Sequence, residues 1–228
     1  MGLDVGLTRL AALSDGRYLE NPRPLERSLG KIRIIQKKLS KRKLLSGNWL
    51  ETKRRLAKEC EHWKDFRRYL FSKLGAPLAG EYDLLVLEDL DTQHLIQVGE
   101  QSGVRRLRLY DSAFSELRVC LEWVFQERGK TVLAVRAYST SREYFRCGGV
   151  NHDLTLRDRV YSCPHCGFTL DRDLNASLVL LKRSGWVPPL SLVRLSAELR
   201  PIPPPPTLLG AKEGEAWWGV DSGSPLRP

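Results

Sequence analysis

Cys163-Pro164-His165-Cys166-Gly167, a turn of two thiols around a Pro-His pair, runs within a few residues into Asp171-Arg172-Asp173-Leu174-Asn175-Ala176, the opening of a helix. The turn has metal-ligand spacing, and Cys147-Gly148 lies fifteen intervening residues upstream. Three of the five cysteines therefore cluster as ligands rather than spreading as a disulfide framework, which points to thiolates in a reducing, cytoplasmic setting. A four-cysteine ribbon would place its first ligand three positions before Cys147, where the chain has Tyr144. Structural zinc is almost always four-coordinate. Cys147, Cys163 and Cys166 are thus one ligand short, with His152 and His165 as candidates for the fourth and His165 hemmed in between two cysteines. The alternative is a ribbon held by hairpin hydrogen bonds without metal. Beyond the turn, a helix is expected from Asp171 to about Lys182, stopping at Ser184-Gly185.

Outward toward the N-terminus, residues 2 to 19 read as two or three short strands, with Ser14-Asp15-Gly16 as an antiparallel turn. Asp83-Leu84-Leu85-Val86-Leu87-Glu88 is a continuous apolar run that fits a buried central strand, and a polar loop is expected from there through Gly103. Phe114, Leu117, Cys120, Leu121 and Val124 recur at helical spacing within about 110 to 128, and Thr131 to Val135 reads as a further strand. Residues 139 to 167 carry the cysteines and few core-type side chains. The order of strands and helices predicts an α/β fold.

Three carboxylates stand at chemically telling places in this order. Asp4 lies in the first strand among small neighbours, Gly2-Leu3-Asp4-Val5-Gly6; Glu88 ends the apolar strand; Asp173 sits in the first turn of the last helix. Carboxylates gathered together repel unless cations lie between them, and two Mg²⁺ ions would both satisfy the cluster and clamp the oxygens of a phosphodiester. Each also has a plain structural reading: Asp171 caps a helix, Glu88 starts a turn, Asp4 is an edge residue.

The chain carries 37 Lys+Arg against 27 Asp+Glu, a formal charge of +10. Residues 25 to 75 hold 16 of the basic and 5 of the acidic residues, so this stretch accounts for the whole excess. Its apolar residues form two helical runs, Leu25 to Leu39 and Leu50 to Leu70, separated by Ser46-Gly47-Asn48. A helical hairpin with basic outer faces is expected, offering Lys31, Lys37, Lys38, Lys41, Arg42, Arg54 and Arg55, with Arg172 on the last helix, to a phosphate backbone. An ordinary solvated helix pair is the plainer alternative. No apolar run approaches a membrane span. From about residue 185 to 228 the sequence is Pro- and Gly-rich and is expected to be extended or disordered.

Gly2-Leu3-Asp4-Val5-Gly6-Leu7, Leu87-Glu88-Asp89-Leu90, the segment Asp153 to Arg159 leading into the cysteine turn, and Asp171 to Ala176 together resemble the TnpB proteins encoded by insertion sequences, relatives of the type V CRISPR effector nucleases. The resemblance covers about residues 2 to 182. It implies a ribonuclease-H-like (RuvC) mixed sheet over 1–138 that includes the basic hairpin, a degenerate zinc ribbon inserted at 139–167, and the closing helix over 168–184. It further implies a catalytic trio of Asp4, Glu88 and Asp173 holding Mg²⁺ or Mn²⁺, with DNA and a guide RNA as partners. Family members carry a substantial N-terminal part that holds the guide, and here the chain opens on the first RuvC strand. A truncated product with reduced or no cleavage is therefore expected, the alternative being an inactive nucleic-acid-binding remnant. A cut-and-paste transposase with its own acidic trio fits the segment before Cys163 less well.

Overall fold

The computed structural model describes residues 1–97, 102–136, 138–155, 158–186 and 200–202. The chain opens with β1 (Gly2–Val5), β2 (Arg9–Leu13) and β3 (Arg17–Glu20), an antiparallel meander. Gly16 turns the second hairpin at φ +88°, a conformation that L side chains rarely adopt. Then come α1 (Pro24–Ser40), α2 (Gly47–Glu81), β4 (Leu84–Asp89), α3 (Thr92–Gln97), α4 (Gly103–Ser112), α5 (Phe114–Gln126) and β5 (Thr131–Arg136). The small hairpin β6 (Val160–Ser162) and β7 (Thr169–Asp171) leads into α6 (Arg172–Arg183), and β8 (Arg200–Pro201) lies at the far edge of the main sheet.

The main sheet runs β5-β4-β1-β2-β3-β8, with β4 parallel to β1 and β5 parallel to β4. This is the mixed α/β arrangement expected from the sequence. Side chains alternate across a strand, so β1 and β4 each send one set to either face. Leu3, Leu85 and Leu87 point into the larger core, where Leu70, Phe71, Leu74 and Leu78 of α2 and Leu117, Leu121 and Phe125 of α5 cover them. Val86 points the other way, against Leu180 and Leu181 of α6. Gly2 shares that second face, and a Cβ there would lie 2.1 Å from the Ser177 carbonyl oxygen of α6. The bare glycine lets the helix sit directly on β1.

Several expectations need correction. The stretch after Glu88 is not a loop through Gly103, because α3 occupies much of its described part and Gly103 itself opens α4. The single helix expected over about 110 to 128 is two, broken where Ala113 takes a left-handed φ of 46°. The basic hairpin extends past residue 75 to Glu81, and Ser46 is no mid-loop residue: its hydroxyl caps α2 by accepting from the Trp49 N–H. The N-terminus of α1 has no local side-chain cap. Buried Asp111 of α4 accepts from the backbone N–H groups of Leu25 and Glu26 at 2.9 and 3.0 Å and satisfies them from a distance in sequence. Residues 139 to 167 also contribute to a real core, with Tyr144, Phe145, Leu154 and Tyr161 buried against Leu174, Leu178 and Val179. Of the Pro/Gly-rich tail, residues 185–186 and 200–202 are described: β8 pairs in parallel with β3, an extended strand at the sheet edge. The rest of the expectation for the tail falls outside the described residues.

Candidate metal and nucleic-acid site

The register that pairs Leu3 with Leu87 carries Asp4 and Glu88 onto adjacent strands one step further, both on the face that α6 covers. They face each other across the two strands, close enough that each acts on the other's carboxyl. Burial, then the charges of Glu88 and Asp173, push the Asp4 carboxyl well above the usual carboxylate range, with Arg172 opposing. Asp4 keeps some surface exposure, but the atoms packed around its carboxyl still disfavour the charged form. Burial raises Glu88 too, against hydrogen bonds from Thr140 and Asp4 and the charge of Arg183. The Thr140 hydroxyl donates to Glu88 at 2.9 Å, a partner that sequence patterning gave no sign of.

Asp171 is the helix cap, as its plainer reading had it: its Oδ1 accepts from the N–H groups of Asp173 and Leu174. Asp173, in the first turn, is 8% exposed and faces cations. Arg9 of β2 bridges Asp171 at 2.8 Å and Asp173 at 3.1 Å, Arg159 reaches Asp173 at 3.6 Å, and Arg172 at 3.4 Å. The three carboxylates are neighbours, yet they do not form a set with ligand atoms within 4.8 Å of one another; among the described residues Cys147, Cys163 and Cys166 alone do. As hard oxygen donors they suit Mg²⁺ or Mn²⁺ in donor type. A divalent ion held by all three requires Asp173 to leave its arginines.

In the ribbon, Cys147 Sγ lies 3.4 Å from Cys163 Sγ and 3.9 Å from Cys166 Sγ. Neither His152 nor His165 joins them. Gly149 is needed for the close approach, since a Cβ there would lie 2.5 Å from the His165 ring and 3.0 Å from Cys163 Sγ. Tyr144 fills the place of the expected fourth thiol in another way. It is 1% exposed, stacked on Tyr161 at 6.0 Å and edge-on to Phe145 at 5.0 Å. Burial, with the nearby cysteines, pushes its hydroxyl up to about 12. An aromatic core thus supports the ribbon beside an incomplete ligand set.

On the basic hairpin, Lys37, Lys38, Lys41 and Arg54 are exposed. Lys31 is tied to Glu59, which is buried between the two helices, and Arg55 pairs along the helix with Glu51. Arg42 donates to the Asn48 carbonyl at 2.6 Å across the connection. Arg172 is mostly covered and donates to the Thr155 carbonyl as well as to Asp173. The free positive surface is therefore narrower than the charge count implied. The sequence reading also passed over Arg9 and Arg159, whose acidic partners lie far away in the chain.

A mixed sheet whose last helix carries Asp173 over Asp4 and Glu88, with a cysteine ribbon inserted before that helix, is the frame of a ribonuclease-H-like fold. Comparisons agree: a family model described as "Probable transposase" matches residues 1–99, and one described as "Cas12f1-like, TNB domain" matches residues 114–180. Two curated relatives carry the name "Putative RNA-guided DNA endonuclease". One is from Streptomyces pristinaespiralis, 30% identical over 79% of this chain and 44% of its own length; the other is InsQ of Escherichia coli K12, 27% identical over 79% of this chain and 48% of its own. Two solved structures share the fold. A Cas12f1–sgRNA–target DNA complex aligns at TM-score 0.53 and 18% identity over 78% of this chain and 48% of that one, and a Cas12f ternary complex at 0.55 and 20% over 78% and 37%. Through both matched parts the chain resembles the TnpB family of insertion-sequence proteins. It spans about half the length of the curated relatives it matches. Among the described residues, no helix is long and apolar enough to cross a membrane.

Proposed function

We propose that this chain is the nuclease part of a TnpB-type, RNA-guided DNA endonuclease, and that Asp4, Glu88 and Asp173 form its divalent-metal site. The observation that carries the reading is the register that sets Asp4 and Glu88 side by side on adjacent parallel strands under α6, with Asp173 close enough for its charge to act on Asp4. Paired buried acids of this kind have little structural use, since burying a charge costs free energy that apolar residues would not. A bound Mg²⁺ or Mn²⁺ would supply a nucleophilic hydroxide and neutralise charge on the phosphodiester. The chain's own residues contribute the rest. Thr140 orients Glu88, and Asp171 fixes the first turn of α6 so that Asp173 stays over β1.

Residues 1–138 and 168–184 make the nuclease unit in this reading, 139–167 the ribbon, and the exposed lysines of the hairpin hold nucleic-acid backbone. The ribbon takes zinc weakly, through three thiolates and water. The relatives named as RNA-guided DNA endonucleases support DNA and guide RNA as partners. An inactive binding remnant is favoured by one feature only, the arginine ties on Asp173. Slow Mn²⁺-dependent nicking of single-stranded DNA, lost in Asp4→Ala and Asp173→Ala, is the expected result. Nicking that survives both substitutions would sink the assignment.

A further inference from the structure

A groove of about 590 Å³ lies beside the acidic centre, lined by Arg9 and Tyr18 of the sheet, Arg23 and Arg27 at the start of α1, and Arg159 ahead of β6. Arg9 and Arg159 both face Asp173 from it, so groove and acidic centre share a wall. Glu20 and Glu26 line it as well, but Glu26 is engaged by Arg23 at 3.9 Å and Arg108 at 3.5 Å. Arg27 is exposed and has no ion pair among the described residues. Cations drawn from three separate elements along an open groove suit a repeating polyanion better than a compact one, which would need donors converging on one point.

Arg9 stands out among these groups. Its guanidinium lies 4.8 Å from the centre of the Tyr18 ring while it binds the two aspartates. Resting on the ring, it can exchange a carboxylate partner for a phosphate without giving up its cation–π contact. We propose that this groove is the bed of a single polynucleotide strand, held through its phosphates by Arg27, Arg159 and Arg9, and that the strand draws Arg9 off Asp173 and so opens the carboxylate to metal. The strand bed stands independently of the nuclease reading; the release of Asp173 rests on it. Metal and strand then favour each other's binding, because each removes what the other must displace.

The strand bed is tested on the whole chain in EDTA with a labelled oligothymidylate of about eight nucleotides. Arg27→Glu and Arg159→Glu should each weaken binding by about tenfold and lower the salt dependence by about one ion per site. Unchanged affinity in both overturns the groove. Release of Asp173 is tested by Mn²⁺ titration without nucleic acid, since Mn²⁺ prefers these oxygens to the cysteine thiolates. Arg9→Gln, which imitates the released state, should bind Mn²⁺ more tightly than the unmodified chain, with Arg9→Lys between them. An Arg9→Gln protein that melts normally and gains no Mn²⁺ affinity overturns the exchange. If neither protein binds Mn²⁺, the nuclease reading falls and the exchange with it, while strand binding in EDTA still decides the groove.

Discussion

Burial under α6 holds the Asp4 and Glu88 carboxyls above their ordinary range, and at Asp4 the charges of Glu88 and Asp173 add to it. Both groups are raised, so the metal-free folded protein keeps a proton that the unfolded chain gives up. That stabilisation is complete below the ordinary aspartate value of 3.8 and is lost as pH rises through the raised folded values. Asp4→Asn removes the proton-releasing group while keeping the shape. In EDTA its melting temperature should fall less than that of the unmodified protein between about pH 5 and 8; parallel falls would show that the pair is not the source. The identities of the acidic residues were legible from the sequence, since a charge inside Gly-Leu-Asp-Val-Gly or ending an apolar strand is conspicuous. Their placement side by side was not, because it depends on the register between β1 and β4. Arg9 was equally hidden: its partner Asp171 lies 162 residues away.

At the scale of elements, the ribbon and the hairpin departed most from the sequence reading. The cysteine spacing showed the ribbon and its missing ligand, but Tyr144 looked like a simple loss, whereas it anchors an aromatic cluster. Tyr144→Cys should therefore have opposite effects with and without metal. Without zinc, removing a buried aromatic costs about 3 kcal/mol. With zinc, the fourth thiolate should hold the ion through dialysis against chelator, which elemental analysis reads directly. Stoichiometric, chelator-resistant zinc in the unmodified protein contradicts the three-ligand account. Helices α3 and α4 were missed because their support is tertiary: α4 earns its place through Leu109 in the core and through Asp111, which caps a helix more than eighty positions away. On the hairpin, charge-reversing Lys37, Lys41, Arg54 and Arg55 together should weaken binding to all nucleic-acid sequences alike and flatten the salt dependence. Arg55, paired with Glu51, should contribute least of the four.

Across the whole molecule, the sheet serves to bring distant segments of chain onto one face. β1, β4 and the start of α6 are separated by most of the sequence, and bare Gly2 under Ser177 sets how closely the helix can approach. The run of strands and helices along the chain followed from apolar patterning, and the mixed sheet from the resemblance; the arginines around Asp173 did not follow, since no local pattern marks a cation whose partner comes from the other end of the chain. The central claim is that Asp4, Glu88 and Asp173 form one divalent-metal site in the folded protein. A ligand that binds only the native state raises its stability, by about 2.7 kcal/mol at a hundredfold excess over the dissociation constant. For a chain of this length that corresponds to a rise of roughly 5 to 10 °C. The decisive measurement is the melting temperature of the unmodified protein, Asp4→Ala and Asp173→Ala with and without Mn²⁺. A rise confined to the unmodified protein is the predicted result, and an equal rise in all three, or none in the unmodified protein, would contradict the account.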